Sequence, residues 1–154
     1  MPRLLSLLLC EKVIIDRNTG TPSVIGIFQK MTVPILPDVP IPENAISPIK
    51  WAVFVMWQHD DNERNEEFVQ RTQILMPDGK IFAETSAVFK VVDPDDLQSK
   101  NTVEVFGLPI SNEGTAIVRV WIEGVEGAAG EYPFFIRHQR QAPNETGQIQ
   151  QPAN

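Results

Sequence analysis

The chain has one cysteine, Cys10, and two histidines among its 154 residues, so it can form no internal disulfide and offers no His/Cys set with metal-site spacing. Cations are in deficit as well. Thirteen lysines and arginines stand against 20 acids, and the net charge of −7 repels phosphate backbones and anionic bilayers. Neither nucleic acid nor membrane is therefore expected as a partner. No run approaches the ~20 apolar residues of a membrane-spanning helix. There is also no glycine-rich nucleotide loop, no serine in a Gly-x-Ser-x-Gly setting and no internal repeat. These absences remove the enzyme classes that announce themselves by motif, and neither catalysis nor a cofactor is expected.

The chain is rich in short segments of Val, Ile, Phe, Thr and Trp, cut by Gly, Pro, Asn and Asp clusters. From Leu4 to His138 they amount to about eight strand-length pieces with no long helical stretch between them. The expected fold is an all-β, single antiparallel β-sandwich, with one short helical turn near 94–99 where Asp93 can cap and Pro94 can open a turn. At 154 residues, with 42% hydrophobic and 21% charged residues, one core is expected over 1–140. Residues 141–154 turn to Gln, Pro, Asn and Gly without apolar period and read as a disordered tail.

Leu4–Leu9 followed by Cys10 imitates a lipoprotein signal. The apolar run is shorter than the ~7–15 residues of a secretory core, and leucines occupy the places where cleavage needs small residues. It reads as a first strand, Leu4 to Ile15, apolar on both faces near its start and so covered on both sides. With no export signal and a lone thiol, a reducing, cytosolic setting is expected. Val24 to Val33 returns as a second strand. Trp51, Val53, Val55 and Trp57 alternate with Ala52, Phe54 and Met56, giving a third strand that is apolar on both faces, either central or part of an interface.

If consecutive strands all run antiparallel, the connections 16–23, 59–66, 93–101 and 124–130 share one end of the domain. That end would be acidic. Asp60, Asp61, Asp93, Asp95 and Asp96 are its candidate Ca²⁺ ligands, because Ca²⁺ takes ~6–8 oxygens. The opposing reading is that such aspartates cap turns. His59 contributes one metal ligand and no more, and Cys10 reads as a packing thiol. Pro34, Pro37 and Pro40 fall every third residue and would share one ridge of a polyproline II helix that could dock a protein partner, unless their loop folds back as a lid. Trp121, beside Arg119 and Glu123, is the other candidate interface residue.

Cys10-Glu11-x-Val13, Thr19-Gly20, Ile25-Gly26-Ile27-Phe28, Pro34 and the Pro77-Asp78-Gly79 turn together resemble a family of small bacterial proteins catalogued only as a domain of unknown function. The resemblance spans about residues 4–138. It implies a β-sandwich and brings no catalytic residue. The reading is a non-catalytic binding or assembly module that contacts a protein partner or a second copy of itself. The alternative is a Ca²⁺-dependent ligand or carbohydrate binder using the acidic loops.

Overall fold

The structure is a computed structural model that describes residues 1–92 and 95–142. Its strands are β1 (Arg3–Ile15), β2 (Pro22–Ile27), β3 (Lys30–Ile35), β4 (Ile46–Gln58), β5 (Glu67–Leu75), β6 (Ile81–Lys90), β7 (Gln98–Pro109), β8 (Gly114–Ile122) and β9 (Ala129–Arg140). They form a four-stranded sheet, β2-β1-β4-β7, and a five-stranded sheet, β3-β9-β8-β5-β6. The expected all-β sandwich is the fold found. From Pro143 onward the expected tail lies outside the described residues, as do Asp93 and Pro94.

Two features depart from the expectation. The segment read as one strand over Val24–Val33 is two strands, and they belong to different sheets. Phe28 is the pivot. Its N–H donates to Leu9 O in the first sheet at 3.0 Å, while the next residue's carbonyl, Gln29 O, accepts from Phe135 N in the second at 2.8 Å. Tyr132 Oη donates to Phe28 O at 3.0 Å, and the Phe28 ring sits 6.1 Å from Trp51 and 6.4 Å from Phe134. After the pivot β3 pairs parallel with β9, so the sandwich is not wholly antiparallel. The second departure is the helical turn, which lies at Asp61–Glu63; Gln98 and Ser99, expected in a turn near 94–99, already belong to β7.

The extra reversal also changes which loops meet. Met1, the 59–66 connection and the start of β9 lie at one end, shown by Met1 N on Asp60 Oδ2 at 2.6 Å and by Leu4 against Gly130. The connection at 95–97 joins them there, because Gln98 pairs with Gln58. The 16–21 turn leaves β1 at its far end and sits with the proline-rich segment, so the acidic end expected from strict alternation loses Asp16.

The core lies between the sheets and is made by alternate residues of the central strands, each burying one face of its pleat. β4 contributes Trp51, Val53, Val55 and Trp57, β8 contributes Ala116, Val118, Val120 and Ile122, and β9 contributes Phe134 and Ile136. A polar network crosses this interior. Trp57 Nε1 and Asn101 Nδ2 both donate to Gln70 Oε1, at 2.8 and 2.9 Å, and Gln70 Nε2 donates to Thr72 Oγ1 at 3.1 Å. Every polar atom there that burial would otherwise penalise has a partner.

Candidate functional site

The two outward sheet faces differ in kind. On the five-stranded sheet, Arg71, Gln73, Arg119, Trp121 and Glu131, with Glu123 just past β8, point away from the core across β5, β8 and β9, and Ile117, Phe135 and Val88 lie in neighbouring rows of the same face. Arg71 pairs with Glu123 at 2.9 Å and Arg119 with Glu131 at 2.7 Å, and Gln73 Nε2 donates to Glu84 at 2.9 Å. Cross-strand opposite charges of this sort suit a face exposed to water. Trp121 lies in this ladder opposite Arg71 and Ala129, half-buried rather than free.

The outward face of the four-stranded sheet is mainly apolar across the middle of β2, β1 and β4, with Lys100, Thr102 and Glu104 of β7 along one margin. The registers Ile27–Cys10–Ala52 and Leu8–Phe54 place these residues in rows across it, with Met56 following on β4 and Ile25 on β2. Cys10, Ala52 and Phe54 are buried yet are absent from the core cluster that takes their neighbours Leu9, Trp51, Val53 and Val55. They form a second apolar patch, backed by the sheet itself. Its rim is open: Ile27 is 55% exposed and Phe106, opposite Lys50 on β7, is 64% exposed. Lys50 Nζ sits 5.1 Å from the centre of the Phe106 ring. Within the patch, burial pushes the Cys10 thiol up from its ordinary pKa, and Sγ lies 3.7 Å from Ala52 O, as expected of a packing thiol.

Sequence reasoning found this patch only indirectly. The both-faced apolarity of the first and third predicted strands was the signal. For β1 it suggested cover on both sides, whereas the outward side carries no second layer among the described residues.

The proposed site residues are distributed as follows. Pro34 is in β3, opposite Gln139, and Pro37 begins a turn whose carbonyl accepts from Arg140 Nη1 at 2.6 Å. Pro34, Pro37 and Pro40 therefore do not share one continuous ridge, because a strand and a turn intervene. Ile35 is buried and Ile41 packs on the core, as a lid requires, while Leu36 and Val39 stay exposed.

At the other end Asp60 accepts from Met1 N, Asp61 pairs with Arg64 at 2.9 Å, and Asp96 pairs with Lys100 at 2.9 Å while accepting from Gln98 N. These contacts hold the Asp60 and Asp96 carboxyls below the ordinary carboxylate range, mainly through the Met1 ammonium and Lys100 respectively. Asp95 lies in a bend before β7, and Asp93 is outside the described residues. Among the described residues, no three or more His, Cys, Asp or Glu side chains are gathered to hold a metal ion.

His59 is buried between Phe68 and Phe89, ring centroids 5.1 and 5.6 Å away, with Nε2 on Ser99 Oγ at 2.9 Å. Burial lowers its pKa, outweighing the pull of Glu63. His138 lies at the opposite end, against Ile110 O, so the two histidines cannot act together.

Among the described residues no helix is long and apolar enough to cross a membrane. Solved structures similar to this chain include an immunoglobulin-like protein from Pseudomonas aeruginosa (16% identity, 89% of this chain, 97% of that chain, TM-score 0.41). The N-terminal domain of PorA is another (8% identity, 87% of this chain, 98% of that chain, TM-score 0.29). No curated protein matches. A family model, described as a family of unknown function (DUF6941), matches residues 5–137, and the chain belongs to that family.

Proposed function

We propose that this protein is a non-catalytic binding module that makes protein–protein contact through the outward face of its four-stranded sheet. The observation that carries the reading is the contrast between the two outward faces. One carries two cross-strand ion pairs through its middle rows, with exposed Ile81, Val88 and Phe135 only towards its margins; the other presents Leu8, Ile25, Ile27, Met56 and Phe106 around a buried Cys10–Ala52–Phe54 floor. Contiguous apolar surface rimmed by polar residues marks interaction sites on soluble proteins, and aromatic residues dominate their energetics.

The test compares variants at exposed positions, where substitution spares the core. Phe106→Asp and Ile27→Asp alter the proposed face, whereas Val88→Asp alters the opposite sheet at a residue 61% exposed. Capture from a lysate of the source cells should retain the same partner with Val88→Asp and lose it with the other two. Retention by Phe106→Asp and Ile27→Asp would count against the reading. If the partner is a second copy, the sedimentation coefficient should fall in the same two variants and no others.

A further inference from the structure

The four-stranded sheet is split at one corner. The β1–β4 ladder ends at Cys10–Ala52, yet β1 continues to Ile15 and β4 begins as early as Ile46. Beyond that last pair β1 is laddered only to β2, through Lys12–Ile25 to Ile15–Pro22, and β4 only to β7. Residues 11–15 of β1 therefore turn one backbone edge toward β4 without a β4 partner. A cavity of about 450 Å³ lies on the inner side of this gap and one of about 150 Å³ on the outer side; both are bordered by Glu11, Lys50 and Trp51.

We propose that this gap accepts an extended peptide segment of a partner protein, which adds as a strand along residues 11–15 of β1 and alternates apolar with acidic side chains. The proposal rests on the reading of this sheet as the contact face and names how the partner is held.

Three observations define the occupant. An edge of unpaired N–H and C=O groups is satisfied by another extended backbone. On the β4 side Pro48 has no N–H to give, so β1 is the wall that can form a regular ladder. Side chains of an added strand alternate between two environments. Inward positions meet the larger cavity, whose walls include Phe28, Val33, Ile49 and Trp51, with Glu11 and Lys30 among its polar residues. Outward positions fall in the row Ile25–Lys12–gap–Lys50–Phe106, where lysines flank the gap from both sides, while Glu104 in the next row and Glu11 also border the outer cavity. Neither Lys12 nor Lys50 has a carboxylate partner among the described residues, although the chain as a whole is at −7. Like charges facing across a sheet are unfavourable, and a carboxylate set between them reverses the sign of both interactions.

The test uses a capped ten-residue peptide of alternating Val and Glu, titrated into the full-length ¹⁵N-labelled protein. Backbone amide shifts should concentrate at residues 11–15 and 46–52. N-methylation of alternate peptide nitrogens should weaken binding at least tenfold, because it removes the donors of an added strand. A Val/Lys peptide should bind at least tenfold more weakly than Val/Glu, and Lys12→Glu with Lys50→Glu should reverse that preference. Shifts elsewhere, no binding at millimolar peptide, equal binding of the N-methylated peptide, or equal binding of the Val/Lys peptide would each overturn the proposal. Its failure is separable from that of the contact face: loss of capture in Phe106→Asp would stand even if no peptide entered the gap.

Discussion

At the scale of single residues, the side chains that decide stability are polar ones in apolar places. Gln70 was legible only as one member of an alternating strand. The structure places it 1% exposed, with its carbonyl shared by Trp57 and Asn101. Gln70→Leu keeps the volume but leaves the buried Trp57 indole N–H, and the half-buried Asn101 amide, without their acceptor. The expected loss is about 1–3 kcal/mol, measured by chemical denaturation.

His59 sets a pH dependence. Burial lowers its folded pKa below the ordinary value of about 6.5, so the unfolded chain binds the proton more readily. The stability that His59 contributes by staying neutral is full above pH ~6.5 and is lost as pH falls from there toward its folded pKa. Melting temperatures across pH 8 to 5 should therefore decline more steeply in the native protein than in His59→Phe. Parallel curves would contradict this account.

Elements were legible where alternation or turn chemistry was strong. The first strand with its hairpin, the Pro77-Asp78-Gly79 turn and the all-apolar third strand lie where the sequence puts them. The sheet switch was not legible, because Val24–Val33 has unbroken strand propensity and the change of partner at Phe28 is made by long-range hydrogen bonds to Leu9 and Phe135. The one local mark is Gly26. Its φ of 69° lies in the left-handed region, and a Cβ there would meet the Glu11 side chain at 2.6 Å. Gly26→Ala should therefore destabilise the β1–β2 hairpin by about 1–2 kcal/mol from backbone strain, or more if Glu11 cannot move. Denaturation of Gly26→Ala beside Glu11→Ala and the double variant separates the two causes: relief in the double variant assigns the cost to Glu11.

For the molecule as a whole, strand alternation yields the class of fold but not which sheet carries which face. Trp121, a candidate interface residue because a tryptophan among charges on a strand is unusual, lies half-buried on the five-stranded sheet. Its charges prove to be neighbours in a water-facing ladder, Arg71–Glu123 and Arg119–Glu131. The apolar outward face emerges only from register, because Cys10 meets Ala52 and Leu8 meets Phe54 only when β1 and β4 are paired. The acidic end was partly legible: 59–66 and 95–97 do gather, but the pivot at Phe28 sends the Asp16 turn to the far end.

The central claim is that the four-stranded sheet, not its five-stranded partner, is the contact face. It is tested most directly by backbone hydrogen exchange of the protein, free and bound to the partner it retains. The account predicts slowed exchange in β1 and β2 and in residues 50–56 and 100–106, with residues 117–121 and 131–135 unchanged. Protection confined to β5, β8 and β9 would contradict it.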